Sequence, residues 1–459
     1  MRIASLIFGL VFFLSLFCIG ASEQAAPTAA ENQSRSAPST IPATPASELA
    51  NHTVGIQLCP ELATLTAPAG QKDDELGYSL GASRDTVVVG APYAKIGSHQ
   101  GQGAAYVWLK PSSGWTHARP AAKLTASDGT LNSTFGLSVA ISDDAVVVGA
   151  DSANSGSKQY AGAAYVFVKP KTGWANMTET AKLKAGDENG NAYFGSSVSI
   201  DGNTAVVGAD GARVGSNQFQ GAAYVFEKPA TGWKNTAQTA KLTASDGARG
   251  DQFGYSAFIG SDAVVIGARS AAVANHSRQG AAYIFVKQGA VWGNMTQTAK
   301  LTVSSGATGD QFGASVSASN EVVVVGAPGA NAAYVFVKPA TGWATTSNFT
   351  VKLAPPDNRQ NDQFGSAVSI KGDTILVGAQ SASLAYIFVK PAQGWESAAM
   401  TARLASPETQ ADDNLGAAVF VSEDAMMAGA PRASVGRNQF QGAAHIFKRP
   451  MTPTKTVHD

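Results

Sequence analysis

A repeated pair of glycines constrains the fold of this chain of 459 residues more than any other sequence feature. Residues 253–285 contain an FG pair, a short alternating stretch, a GA pair and the segment GAAYIF. Seven versions of the pattern occur, and the second glycine always follows the first by 13 residues. The paired glycines are Gly77 and Gly90, Gly136 and Gly149, Gly195 and Gly208, Gly254 and Gly267, Gly313 and Gly326, Gly365 and Gly378, and Gly416 and Gly429. A constant offset in seven copies indicates an array of structural repeats.

The composition favours short strands joined by tight turns. The chain has 48 glycines, and few of its stretches show the helical period of apolar residues. Its 33 basic and 33 acidic residues balance, which argues against a basic surface for nucleic acid. We therefore expect an all-β protein that binds no nucleic acid.

The amino-terminal segment predicts export. Residues 1–21 combine Arg2, an apolar core and the small pair Gly20 and Ala21, as in a secretory signal peptide. A signal anchor is the alternative, but the apolar run is shorter than the roughly 20 residues of a spanning helix. Residues 22–58 are rich in Ala, Ser, Thr and Pro and predict a disordered linker. We expect a secreted or cell-surface protein with no transmembrane segment after signal cleavage.

The lone cysteine of the mature chain excludes an internal disulfide. After cleavage Cys59 alone remains, so the fold must hold without such a bridge. We expect Cys59 to be a small buried residue, with an intermolecular bridge as the alternative.

Counting strands predicts a closed ring. The second unit has candidate strands at residues 135–141, 145–150, 162–169 and 181–186. The outermost type occurs first at residues 61–67, before the first FG-like pair, while the last unit has none of its own. The amino-terminal strand would thus complete the last blade and leave no open edge. The prediction is a seven-bladed β-propeller of four-stranded blades over residues 59–449, with a tail at 450–459.

Aromatic residues at fixed positions predict how the blades pack. Tyr283 and Phe285 lie two apart on a third strand, so they share a face that we expect to contact the neighbouring blade. Phe253 would seal the same seam, and Gly254 would permit a close backbone approach or a positive φ.

The sequence motifs of the units resemble FG-GAP repeats. KLTASDG, GDQFG, VVVGA and GAAYVF are similar to the FG-GAP repeats of the integrin α-subunit head and to the shorter ones of exported microbial proteins. The resemblance covers about residues 61–449 and implies an adhesion or recognition module. The third residue of GAP departs from Pro at four positions, which are Asp151, Asp210, Arg269 and Gln380.

The calcium loops of integrin-type repeats are not carried over. Those loops have the form D-x-[DN]-x-D-G-x-x-D between the first and second strands, whereas this chain has minimal turns such as residues 142–144. A second acidic set precedes the FG pairs and consists of Asp246 with Asp251, Asp357 with Asp362, and Glu408 with Asp413. We interpret these carboxylates as turn caps. The alternative is a Ca²⁺ site completed by carbonyls and water.

Tryptophans and histidines provide the remaining chemistry-bearing side chains. Six tryptophans each end a K-P-x-x-G-W-like turn; they are Trp115, Trp174, Trp233, Trp292, Trp343 and Trp395. We expect them to pack against the blades, with stacking on sugars as the alternative. The histidines occupy non-equivalent positions, and no catalytic constellation stands out. We predict no catalytic residue, although a site built from several blades would leave no local motif.

Loop lengths predict the binding face. The connection between second and third strands is long in five units and shorter by eight residues in the fifth and sixth. We expect ligand contacts in residues 90–103, 149–162, 208–221, 267–280 and 429–442, on the face that also carries the outer-to-inner loops. The ligand would be an extracellular protein or a glycan.

Three functions remain open from the sequence: an adhesion or recognition module, a lectin, and a polysaccharide- or ester-cleaving enzyme. N-glycosylation sequons fall in the linker and in predicted loops, and would make the chain a glycoprotein in a eukaryotic host; they begin at Asn32, Asn51, Asn132, Asn176, Asn275, Asn294 and Asn348.

Overall fold

The computed structural model describes residues 57–260, 263–319, 321–357 and 361–450. The signal peptide, most of the linker, Asn32, Asn51 and the tail beyond residue 450 lie outside the described residues. The part of the chain described is almost entirely β-strand and loop, as predicted. Its helices are single 3₁₀ turns such as Pro328–Ala330, Gln380–Ala382 and Trp395–Ser397, and none is long and apolar enough to cross a membrane.

The described strands form seven blades, and each blade has four main strands. Blade 1 comprises β3 (Ser79–Ser83), β4 (Thr86–Ala91), β5 (Ala104–Leu109) and β6 (Ala122–Leu124). Blade 2 comprises β7 (Ser138–Ser142), β8 (Ala145–Ala150), β9 (Ala163–Val168) and β10 (Ala181–Lys184). Blade 3 comprises β11 (Phe194–Asp201), β12 (Thr204–Ala209), β13 (Ala222–Glu227) and β15 (Ala240–Thr243). Blade 4 comprises β16 (Phe253–Gly260), β17 (Ala263–Ala268), β18 (Ala281–Val286) and β20 (Ala299–Leu301).

The last three blades follow the same plan. Blade 5 comprises β21 (Ser315–Ser319), β22 (Val322–Ala327), β23 (Ala332–Val337) and β24 (Val351–Leu353). Blade 6 comprises β25 (Phe364–Lys371), β26 (Thr374–Ala379), β27 (Leu384–Val389) and β28 (Met400–Leu404). Blade 7 comprises β29 (Ala418–Val421), β30 (Ala425–Ala430), β31 (Ala443–Lys448) and the amino-terminal β2 (Glu61–Leu65). All four strands of each blade are antiparallel to their neighbours.

The amino-terminal strand closes the ring, as the strand count predicts. β2 pairs with β31 so that Thr64 lies opposite His445 and Leu65 opposite Ala444. The first blade then meets the last through a parallel bridge between Leu76 and Gly442. The described residues therefore form a closed β-propeller.

Short fifth strands cover three blade edges, which the sequence did not predict. β1 (Gln57–Leu58) pairs parallel with β28, β14 (Thr236–Ala237) with β10, and β19 (Met295–Thr296) with β15. β1 also corrects the linker boundary, because the last two residues of the predicted disordered segment form a strand. Backbone pairing with an exposed edge needs no apolar side chains, so the composition of the linker did not reveal it.

Paired glycines bring the blades into backbone contact at every seam. A methyl group on Gly267 would lie 2.0 Å from the carbonyl oxygen of Gly313 in the next blade, and one on Gly429 would lie 1.9 Å from that of Gly77. Gly254 has φ +96°, so it provides both the close approach and the positive φ that the sequence predicts. The seam that closes the ring is thus built like the others.

Aromatic side chains fill the space beside each glycine pair. Phe253 is fully buried, and its ring centroid lies 5.4 Å from that of Tyr283 and 5.9 Å from that of Phe285. These rings share a core cluster with Val206 and Val225 of blade 3. The predicted packing of third-strand aromatics on the neighbouring blade is therefore observed.

Cys59 is buried and carries a free thiol. Its backbone N–H donates to the carbonyl of Arg403 (3.2 Å), and its side chain packs with the core of blades 6 and 7. Burial raises the pKa of the thiol. Cys59 is the small buried residue that we expected.

Candidate ligand-binding site

The long second-to-third loops and the outer-to-inner loops share one face of the ring. They hydrogen-bond across the five seams that have a long loop: for example, Phe253 N donates to Gln220 O (2.8 Å), and Glu75 N donates to Phe440 O (3.0 Å). We call this the long-loop face. The predicted placement of the two loop types is thus correct.

A polar funnel of about 630 Å³ opens on the long-loop face and is lined by residues from five blades. Its low side lies over blades 5 and 6, where Pro328–Ala330 and Gln380–Ala382 replace the long loops. The polar lining residues are Glu75, Tyr78, Tyr255, Arg269, Gln311, Asn331, Asn361, Gln363, Ser366, Gln380, Asn414 and Arg432. The apolar part of the lining consists of small residues such as Ala314, Ala417 and Pro431.

Seven residues in the left-handed conformation surround the funnel and its rim. Each occupies the position two before an FG glycine; they are Glu75, Thr134, Tyr193, Gln252, Gln311, Gln363 and Asn414, with φ between 52° and 59°. This conformation costs a side chain about 1 kcal/mol that glycine would avoid. At five of the seven positions a backbone bond across the seam, such as Gln311 N to Arg278 O (3.1 Å), holds it in place. None of the seven is glycine, so the fold retains a side chain where it is unfavourable.

Two arginines flank the low side. Arg269 stacks on Tyr255, with its guanidinium carbon 3.6 Å from the ring centroid, and its Nε donates to Gln252 Oε1 (3.1 Å). Arg432 extends from blade 7 and lies 6.0 Å from the centroid of Phe440. Within the described residues neither arginine forms a salt bridge. The charge of Arg269 acts on Asp210 and that of Arg432 on Glu75, in each case against the rise in carboxyl pKa that burial causes. Without a direct ion pair, each guanidinium keeps hydrogen-bonding positions for a ligand.

Acidic residues lie beside the funnel on blades 1 to 3. Asp151 accepts hydrogen bonds from Thr134 Oγ1 (2.7 Å) and Ser152 Oγ (2.9 Å). Burial raises the pKa of Asp151, and burial followed by the charge of Asp151 raises the pKa of Asp210 to about 6. Burial also raises the pKa of Glu75. These carboxyls hold their protons more tightly than exposed ones do.

Sequence reasoning missed Asp151 and Asp210 as a pair. Both replace the third residue of GAP, in adjacent units, and that shared position was the signal available to find them.

Six segments match the FG-GAP repeat model, over residues 60–108, 119–167, 177–226, 236–285, 295–336 and 348–388. Together they cover more than half of the chain. The chain belongs to the FG-GAP repeat family. Each FG-GAP segment runs from an outer strand to a third strand, so the sequence repeat is displaced by one strand from the blade: residues 60–108 contain β2 of blade 7 and β3 to β5 of blade 1.

A solved structure titled "Streptogramin B lyase structure" has a similar fold. It aligns with a TM-score of 0.51 and 9% sequence identity, over 84% of this chain and 97% of that chain. At this identity the likeness concerns the fold alone. No curated protein matches the FG-GAP chain in sequence.

The acidic residues three before the FG glycines cap turns, as we interpreted them. Asp251 Oδ2 accepts the backbone N–H of Ala248, and Asp413 Oδ2 accepts that of Gln410, both at 2.7 Å. Ser133 takes the same role in the second FG-GAP unit, where Thr130 N donates to its Oγ (3.0 Å).

The acidic residues eight before the FG glycines bridge blades. Asp246 accepts from Tyr283 Oη (3.2 Å) and from Lys300 Nζ (2.5 Å). Glu408 Oε2 accepts from Thr64 Oγ1 (3.4 Å) at the ring closure. Asp357 and Asp362 also interact with neighbouring groups. Among the described residues no three His, Cys, Asp or Glu side chains come together as a metal site, and Ca²⁺ binding stays a prediction.

The glutamines of the long loops are structural. Gln279 is buried, and its Nε2 donates to Val303 O (2.8 Å) of the adjoining outer-to-inner loop; Gln441 does the same with Ala67 O (3.0 Å). The funnel therefore takes Arg269 and Arg432 from two of the five predicted loop ranges, while these glutamines are engaged in clamping the loops.

The histidines correct one sequence inference. His99 and His276 occupy the same position in two long loops, and each Nδ1 contacts a clamping glutamine, Gln102 at 3.1 Å and Gln279 at 3.3 Å. The expectation of non-equivalent positions was wrong for this pair, because the alignment had not been carried through the loops. His445 replaces the third-strand tyrosine and bonds Glu61, as a packing variant would.

Five of the six turn tryptophans pack into the blades, and Trp343 also lines a cavity. Five are buried and Trp343 is half-buried; the five are Trp115, Trp174, Trp233, Trp292 and Trp395. This supports the packing interpretation, because a buried ring presents no face to a sugar.

Proposed function

We propose that this FG-GAP protein is an exported binding module that acts in adhesion or recognition, and that its ligand occupies the funnel on the long-loop face. The observation that carries the proposal is the lining of the funnel. Side chains from five blades converge there, and four of them, at Glu75, Gln311, Gln363 and Asn414, are held in a conformation that glycine would adopt more easily. Strained side chains that converge on a concave surface are typical of binding sites.

The repeat family and the amino-terminal segment support the same role. FG-GAP repeats are typical of extracellular proteins, and residues 1–21 have the pattern of a signal peptide. The rigid ring holds the loops in place, so the ordering penalty on binding is small.

A blocked funnel tests the proposal. Ala314 lines the funnel, so Ala314→Trp fills it, whereas Ala344 follows the Trp343 turn on the opposite face and is exposed. The wild type and both variants are applied to glycan arrays and to arrays of purified extracellular proteins. We expect a ligand that the wild type and Ala344→Trp retain and Ala314→Trp loses. Equal binding by the two variants would show that the ligand lies elsewhere.

A further inference from the structure

We infer that the funnel recognises a carboxylate-bearing oligosaccharide, a chain of uronic acid units, through Arg269 and Arg432. The inference rests on the proposed function and names the ligand class of that site. Three features carry it: the arginines, the amides and the small apolar lining.

The arginines provide the anion contacts. A guanidinium binds a carboxylate through two parallel hydrogen bonds, and such a pair is stronger at the half-buried Arg269 than at the exposed Arg432. The Nε bond to Gln252 and the stacking on Tyr255 fix the plane of the Arg269 guanidinium. Its terminal nitrogens are therefore oriented before any ligand arrives, which lowers the entropy lost on binding.

The balance of charge favours an anion over a cation. Among the described residues that line the funnel, Glu75 is the one carboxylate, against two arginines. Burial raises the pKa of Glu75, while the charge of Arg432 acts in the opposite direction and does not cancel the rise. Asp210 lies near Arg269 but outside the lining, so a cationic ligand would meet two guanidinium groups with Glu75 as the one carboxylate among the described lining residues.

The rest of the lining suits a saccharide better than an acidic peptide. Amides such as Gln311, Gln363 and Asn414 both donate and accept, as sugar hydroxyls do. Tyr78, which is 38% exposed, supplies aromatic surface for the apolar face of a sugar ring, while Tyr255 supports Arg269. The apolar lining consists of alanines, prolines and a glycine, and offers no deep pocket for a peptide side chain.

The positions of the arginines favour an oligomer. Arg269 belongs to blade 4 and Arg432 to blade 7, so the low side over blades 5 and 6 lies between them. A chain of uronic acid units that crosses the low side can place one carboxylate at each arginine.

Calorimetric titration tests this ligand class. The probes are hexamers of galacturonate, mannuronate and glucuronate, their neutral methyl esters, and hexaglutamate. Arg269→Gln and Arg432→Gln remove one guanidinium each, and Arg437→Gln, in an exposed part of the blade 7 loop, is the matched control. We expect at least one uronate hexamer to bind, and the Kd to rise about tenfold or more with either funnel variant and with the methyl ester. Arg437→Gln should leave the Kd within about twofold.

The outcomes distinguish the proposal that the funnel is the binding site from the proposal that its ligand is a chain of uronic acid units. If all uronate hexamers fail to bind, or if the esters bind equally well, the anionic saccharide is wrong. Tighter binding of hexaglutamate would replace it with an acidic peptide. A neutral ligand that Ala314→Trp blocks and the arginine variants retain would overturn the ligand class and leave the funnel as the binding site. Unchanged thermal unfolding of each variant confirms that the fold is intact.

Discussion

At the scale of single residues, the seams of the ring depend on a few side chains that repeat in each blade. Phe253 is fully buried between Tyr283 and Phe285 and packs on the preceding blade. The paired glycines beside it leave no room for a methyl group. A seam therefore has little freedom to collapse around a missing ring.

Phe253→Ala should lower the free energy of unfolding by about 3–5 kcal/mol, since it removes a buried aromatic ring and leaves a cavity. Urea unfolding followed by tryptophan fluorescence measures the change. Val291→Ala is the control, because Val291 is 65% exposed and its truncation should change little. A loss below about 1 kcal/mol for Phe253→Ala would contradict the seam assignment.

Asp210 should make stability depend on pH. Burial, followed by the charge of Asp151, raises its pKa from the ordinary 3.8 to about 6. The folded state thus holds the proton more tightly than the unfolded state, and stability falls as pH rises between these values. Asp210→Asn should raise the free energy of unfolding near pH 7.5 by about 2 kcal/mol and change it little near pH 3.5.

Thermal unfolding across this pH range measures the effect. Asp144→Asn is the control, because that carboxylate is exposed on a turn between first and second strands. An equal effect of Asp210→Asn at both pH values would show that the ionised carboxylate does not destabilise the fold.

At the scale of elements, the closing strand β2 carries a buried pair unlike those of the other blades. Glu61 Oε1 lies 2.7 Å from His445 Nδ1 on β31 and also accepts from Thr64 Oγ1 (2.8 Å). In blades 2 to 4 the equivalent tyrosine bonds an aspartate instead, for example Tyr224 with Asp187 at 2.8 Å. The strand that closes the ring is thus held by a titratable pair.

Glu61→Gln should remove an acid-sensitive part of the stability. Burial alone would raise the pKa of Glu61, but the hydrogen bond and charge of His445, with bonds from Ser406 and Thr64, lower it below the ordinary 4.5. A lowered carboxyl pKa stabilises the fold above that value and ceases to do so as pH falls through the folded pKa. The wild type should melt higher than Glu61→Gln near pH 6 and lose this advantage progressively as the pH falls below the ordinary 4.5.

Glu396→Gln is the control, because Glu396 is exposed on the turn between β27 and β28 and lies away from β2. A difference between wild type and Glu61→Gln that persists unchanged into acid would show that the pair acts through packing and not through charge.

At the scale of the whole molecule, the sequence was sufficient for the ring and insufficient for the funnel. The blades were predictable because each seam needs two glycines in contact, as Gly267 and Gly313 are, and this requirement repeats along the chain. The funnel was not, since Arg269 and Arg432 lie in different blades at positions where the copies differ. Gln311 and Gln363 gave no sign of a left-handed backbone, which in sequence is signalled by glycine or asparagine.

Because the sequence repeat is displaced by one strand, two paired strands of blade 7 are synthesised at very different times. β2 is made among the first described residues, and its partner β31 among the last. Six blades can form outside the ribosome while synthesis continues, and β2 remains unpaired during that time. An unpaired strand is prone to aggregation. Joining residues so far apart in sequence is slow, because the loop entropy is lost before the contacts form. Completion of the ring therefore depends on the first strand staying unpaired until the last one has emerged.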